Sequence, residues 1–169
     1  MKVVVLLFFK LMAFNGQAQH NDDHNTNTSD EFSHHCFLPE RSFSFGLGLP
    51  YSFNAEGVGI NSRLYYNIGH SLCFGPEFSY FKTDELEIMD IDFIVHYIFE
   101  TPITGIYPLA GVNYTLEEAH GHEEKAAGLV FGAGLHRNFY KLTLFAEYAH
   151  VQSDLADDFI TLGFMFTFK

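Results

Sequence analysis

From Ile160 to Phe168 every second residue is large and apolar: Ile160, Leu162, Phe164, Phe166 and Phe168. Thr161, Gly163, Met165, Thr167 and Lys169 fall on the opposite face. A period of two over this length reads as a β-strand. Its apolar face is rich in aromatic rings. A water-soluble chain has to bury such a face, whereas a membrane barrel leaves it against lipid. The rest of the sequence is tested against that choice, with a soluble β-sandwich as the alternative.

Seven earlier stretches repeat the pattern, each keeping one parity. The first, about 42–53, sends Phe43, Phe45, Leu47, Leu49, Tyr51 and Phe53 out and Ser42, Ser44, Gly46, Gly48 and Ser52 in. The second, about 57–67, puts Val58, Ile60, Leu64 and Tyr66 out and Asn61, Arg63 and Asn67 in. The third, about 71–82, has Phe74, Pro76, Phe78 and Tyr80 out, and Cys73 and Glu77 in. The fourth, about 87–99, sends Met89, Ile91, Phe93, Val95, Tyr97 and Phe99 out, with Asp90, Asp92 and His96 in. The fifth, about 105–116, turns Tyr107 and Asn113 in, the sixth, about 126–137, His136, and the seventh, about 140–152, Lys141, Thr143 and Glu147. Eight staves of about 16 residues suit a tilted spanning strand of roughly 9–11 residues and a connection. Pro76 and Pro108 each remove a ladder donor, which predicts a bulge or local unpairing.

The bulk numbers agree. Of the 169 residues, 20 are Phe and 9 are Tyr, yet the mean hydropathy is only +0.02. Lumen-facing polar residues dilute hydropathy in this way. The net charge of −12 argues against a nucleic-acid partner.

Residues 1–18 read as a cleaved secretory signal: Lys2, an apolar run over 3–14 broken only by Lys10, and a small-x-small site at Gly16-Gln17-Ala18. Residues 19–40 read as a disordered polar leader rich in His, Asp and Asn. Export permits a disulfide, but Cys36 in the leader and Cys73 in a strand read as free or loosely paired thiols.

Connections near 68–70, 100–103 and 137–139 are tight, while those near 54–56, 83–87, 117–125 and 153–158 are acidic. With an even number of staves, the tight turns share the periplasmic side with the chain ends, and the acidic loops are extracellular. Outward tyrosines then form two rims, Tyr51, Tyr80, Tyr114 and Tyr148 above and Tyr66, Tyr97 and Tyr140 below, as an aromatic girdle requires.

On these staves, residues 41–169 resemble the eight-stranded outer-membrane β-barrel proteins of the OmpA/OmpX-like, porin-like "outer membrane protein beta-barrel" group. The resemblance implies an all-β, eight-stranded antiparallel up-and-down transmembrane β-barrel in the bacterial outer membrane, with a cleaved N-terminal signal peptide. It implies outer-membrane lipid and the barrel assembly machinery as partners, and a monomer. Thr161, Gly163, Phe166 and Phe168 match the assembly signal, although Lys169 follows the final aromatic residue.

Three chemistries are weighed. Inward Arg63, Glu77, Asp90, Asp92, His96, His136 and Glu147 are costly unless paired, so they read as a polar plug with Glu77 as the partner of Arg63. A proton or ion path is the other reading of the same groups. His120 and His122, flanked by Glu118 and Glu123, offer a divalent-metal site, with a solvated loop as the plain reading; no other cofactor is expected. A lipid-modifying enzyme would call on His150 and Ser153, which in a regular strand face opposite ways. The expected function is that of an outer-membrane barrel with a structural or surface-interaction role, not a general porin and not an enzyme. The alternatives are a surface metal-binding protein and a lipid-modifying enzyme.

Overall fold

The computed structural model describes residues 38–84, 86–101, 104–119, 121–139 and 142–168. The expected signal and most of the leader, with Cys36, lie outside the described residues, as do His120, Tyr140, Lys141 and Lys169. Leu38, ahead of the first strand residue Ser42, is buried in the inner apolar cluster.

The strands are β1 (Ser42–Ser52), β2 (Gly57–Val58), β3 (Ile60–Asn67), β4 (Leu72–Lys82), β5 (Leu86–Tyr97), β6 (Phe99–Glu100), β7 (Gly105–Ala119), β8 (His122–Phe139), β9 (Leu142–Gln152) and β10 (Asp157–Phe168). β2 and β3 share one stave, as do β5 and β6. Each stave pairs antiparallel with its sequence neighbours, and β10 closes on β1 from Phe43↔Phe168 to Ser52↔Phe159. The result is a closed eight-stranded up-and-down barrel, which leaves no free edge.

Alternation decides which residues fill it. Phe43, Phe45, Leu47 and Leu49 on β1 are exposed, whereas Ser42, Ser44, Gly46 and Gly48 are buried. On β5, Ile91, Phe93, Val95 and Tyr97 face outward around inward Asp90, Ile94 and His96. The outer belt is continued by Ile106, Val112, Leu129, Phe131, Phe164 and Phe166. An apolar surface this extensive marks a membrane or protein contact rather than a water-exposed wall. Inside lie the fully buried rings of Tyr65, Phe81, Tyr107 and Phe145.

The prolines leave gaps without bulges. β3 and β4 pair at Arg63↔Glu77 and again at Tyr66↔Phe74, with no register change and no pairing between, where Pro76 lies. Pro76 nevertheless pairs with Phe93 on its other side. Pro108 sits at the gap between His96↔Leu109 and Phe99↔Ile106, while pairing with Ala133. Pro50 repeats this between Gly48↔Asn61 and Tyr51↔Val58, paired to Thr161. A missing N–H interrupts one ladder and spares the other.

One expected loop is strand. Residues 117–119 and 122–124 stay in the sheet: Glu117↔Glu124, Glu118↔Glu123 and Ala119↔His122 continue the β7–β8 ladder. Gly121, at φ 79°, supplies the left-handed turn at the tip. The acidic composition there reflects a hairpin standing beyond the apolar belt.

The seam between the first and last staves is tied at the loop end by Asp157. Its carboxylate accepts from the Ser52 hydroxyl at 2.5 Å and from the backbone N–H groups of Asn54 at 3.0 Å and Asp158 at 2.6 Å. At the other end of the seam the Ser44 and Thr167 hydroxyls lie 2.9 Å apart, and Asn67 Nδ2 on the neighbouring β3 donates to Ser42 and Ser44 Oγ at 2.8 and 3.0 Å.

Candidate functional site in the lumen

The register sets inward residues in rows across the sheet. One row runs Gly46–Arg63–Glu77–Asp92–Asn113–Gly128. The next runs Gly48–Asn61–Ser79–Asp90–Thr115–Ala126. Alternation and pairing alone therefore bring four charged groups from three staves together.

Arg63 is the centre. It is 2% exposed, and its guanidinium reaches in three directions. Nη2 lies 2.8 Å from Glu77 Oε2 on the adjacent stave. Nη1 and Nη2 donate to Glu147 Oε2 and Oε1 at 3.1 and 3.3 Å, across the lumen. Nε donates to Asn61 Oδ1 at 3.0 Å. The Phe145 ring lies under the guanidinium, 4.2 Å from its carbon. A planar five-donor fork can satisfy all of these at once, which an ammonium group cannot.

The carboxylates are held in turn. Glu77 accepts from Asn61 Nδ2 at 3.0 Å and from the Tyr65 hydroxyl. Glu147 accepts from the Tyr107 hydroxyl at 3.1 Å, and His96 Nε2 lies 3.8 Å away. His96 is stacked on Tyr107 and edge-on to Tyr65. His136 lies beyond Tyr107, ring centroids 5.6 Å apart. Two glycines make room: a Cβ at Gly134 would enter the Tyr107 ring, and one at Gly163 would enter Phe145 and the Leu47 carbonyl. The middle of the lumen is thus occupied by side chains rather than open.

Asp90 and Asp92 stand apart. Asn113 Nδ2 donates to Asp90 Oδ1 at 3.3 Å and to Asp92 Oδ1 at 2.7 Å, and the Thr115 hydroxyl lies 2.5 Å from Asp90 Oδ1. Asp90 Oδ2 is buried without a hydrogen-bond partner.

Glu77, His96 and Glu147 offer ligand atoms within 4.8 Å of one another. Arg63 already occupies both carboxylates, so a metal ion there would have to displace a guanidinium. This set carries no site.

The hairpin set comes apart. Glu118 and Glu123 are a cross-strand pair and share one face, and His122, next to Glu123 in the strand, lies on the other. Glu123 is engaged by Lys125 Nζ at 2.6 Å. On the lumen-side face, burial first, and then Glu124 and Asp157, push the Glu117 carboxyl above its ordinary range.

His150 lies on the outer wall, where Nδ1 contacts Asp158 Oδ1 at 2.9 Å and the Tyr148 hydroxyl donates to the same oxygen at 2.6 Å. The Tyr148 hydroxyl and then His150 hold Asp158 below the usual carboxylate range. Ser153 follows β9 and caps the next turn, accepting from Leu155 N at 3.1 Å. Ser153 is thus engaged in its own turn and not with the His150–Asp158 pair. Of the expected assembly signal, Phe166 and Phe168 are exposed on the outer wall against Phe45 and Phe43, and Thr161 is buried.

No family model matches the chain, and no curated protein does. Solved structures do. The N-terminal β-barrel domain of Pseudomonas aeruginosa OprF superposes with a TM-score of 0.65 at 16% identity, over 76% of this chain and 98% of that one. Ail, the attachment invasion locus protein of Yersinia pestis, gives 0.53 at 17% identity, over 75% and 97%. Neisserial surface protein A gives 0.52 at 15% identity, over 76% and 94%. At these identities the likeness is one of fold, and that fold is the eight-stranded barrel of outer-membrane proteins.

Proposed function

We propose that this chain is an integral barrel of the bacterial outer membrane, exported by its first 18 residues, that acts as a monomer at the cell surface and does not conduct as a general porin. The observation that carries this reading is the pairing of a lipid-suited outer wall with a lumen blocked by the Arg63–Glu77–Glu147 network. Tyr51, Tyr80, Tyr114 and Tyr148 would meet one headgroup layer, and Tyr66 and Tyr97 the other. Phe166 and Phe168, with Thr161 and Gly163, would serve the assembly machinery. The part offered to the outside is the loop end, where Glu56, Asp84, Glu118, Glu123, Glu124 and Asp154 are concentrated. Ail has been solved with a heparin analogue, sucrose octasulfate. The acidic loop end here favours cationic partners over such polyanions.

A peptide tag inserted at the 119–122 hairpin tip tests the topology. It should be reached by antibody on intact cells, and the purified protein should migrate differently on a gel before and after boiling. Planar bilayers should show no large steady conductance. A tag reached only after lysis, or a protein monomeric in buffer without detergent, would end this reading.

A further inference from the structure

We infer that the loop-side half of the lumen binds one oxygen-seeking divalent cation, calcium in preference to zinc, between Asp90 and Asp92. Position 90 is followed two residues later by 92 on the same inward face of β5, so both carboxylates enter one space. Asp90 is 3% exposed, and its Oδ2 has no partner. That oxygen belongs to a residue lining two adjoining cavities. The inner cavity is also bounded by Asn61, Glu77, Ser79, Asp92 and Glu147. The outer one is bounded by Asn54, Thr115, Glu117, Leu155 and Asp157, and leads from Asp90 toward the loop end.

Charge is the second argument. Among the described residues, Arg63 is the one lysine or arginine that faces the lumen, and Glu77 and Glu147 already hold it. Asp90 and Asp92 have only neutral donors, Asn113 and Thr115. Buried carboxylates are costly without a positive partner. A divalent ion balances two of them.

Size and donor type choose the ion. The inner cavity leaves about 30 Å³, room for roughly two or three waters, too little for an organic cation but enough for an ion keeping part of its hydration. The polar side chains lining it offer oxygen and amide groups, with neither thiolate nor imidazole. Such a set suits calcium or magnesium rather than zinc. Its irregular spread over β3, β4, β5 and β9 suits the flexible coordination of calcium better than the octahedron that magnesium demands. Glu117 and Asp157 line the way in and would draw a cation toward it.

The test is calcium chloride titrated calorimetrically into the refolded, EDTA-stripped barrel in detergent, with magnesium and zinc chloride in parallel. One calcium per barrel is expected, with a higher unfolding temperature in calcium. Asp90→Asn and Asp92→Asn should each weaken uptake at least tenfold and abolish the thermal shift. The Glu118→Gln, Glu123→Gln double variant, changed only on the hairpin, should bind as the parent does. Heat-modifiable migration reports folding of every variant, and either aspartate variant suffices if the other does not refold. No calcium uptake by the parent protein would overturn the inference. So would uptake unaffected by both aspartate substitutions, or zinc bound in place of calcium.

Discussion

Arg63 and Glu147 meet across the lumen from staves that share no edge, through two contacts of 3.1 and 3.3 Å. The pair braces β3 directly against β9, which the ladders connect only through β1 and β10 on one side and β4 to β8 on the other. Breaking a buried pair from one side strands the other charge and costs about 3–5 kcal/mol. Glu147→Gln should therefore lower the unfolding free energy in detergent by about that much, measured by urea titration. Adding Arg63→Met should recover part of the loss. A Glu147→Gln protein as stable as the parent would show that Glu77 alone satisfies the guanidinium.

Asp157 gathers one hydroxyl and two backbone donors at the loop end of the seam. Asp157→Ala leaves Ser52 and the two N–H groups without that acceptor, at about 1–3 kcal/mol for a buried donor left unpaired. Amide exchange over 51–55 and 157–160 should accelerate, while the Phe43↔Phe168 end of the same seam should not respond.

The carboxyl of Glu117 is raised, first by burial and then by repulsion from Glu124 and Asp157. In the folded hairpin it binds a proton more readily than in the unfolded chain. Its charged form therefore destabilises the hairpin at neutral pH, and that penalty disappears as pH falls through the raised value toward the ordinary carboxylate range. Exchange of the 115–119 and 121–126 amides should slow as pH falls from neutral toward the ordinary carboxylate range, after correction for intrinsic rates, and Glu117→Gln should remove the effect. Glu87, which Lys82 first and then Tyr80 hold below its usual range, gives the opposite sign.

Phe93 stands mid-strand on the outer wall of β5. Arginine there would face the lipid interior, at about 2–4 kcal/mol for a site near the bilayer midplane. Phe93→Arg should reduce refolding into vesicles by that amount. The same change would cost little on a wall that faced water.

Alternation made the walls legible in the sequence. Parity assigned Phe43, Phe45 and Phe93 to the outside and Arg63, Glu77 and Asp90 to the inside, and pairing of neighbouring staves joined Arg63 to Glu77. It did not join Arg63 to Glu147, because contacts across a lumen depend on strand tilt and stagger, which no local period encodes. Inward Tyr65, Phe81 and Phe145 were reachable by the same parity, but an expectation of polar interiors drew attention to the serines and glycines beside them. The 117–124 segment misleads for a different reason. Its glutamates read as a solvated loop, whereas backbone pairing does not require apolar side chains once the strands extend past the belt. His122 and Glu123, adjacent and therefore on opposite faces, lost their apparent common purpose with that extension.

Pro50, Pro76 and Pro108 each open a gap, and all three gaps fall in ladders among the first five staves. From β7 through β8, β9 and β10 to β1 the described residues pair without interruption. The cylinder therefore has unequal sides, one zipped throughout and one notched at three heights. Thermal breathing should begin on the notched side, so the wall that yields first is the one from which Arg63 and Glu77 reach inward, while Glu147 stays anchored on the wall that holds.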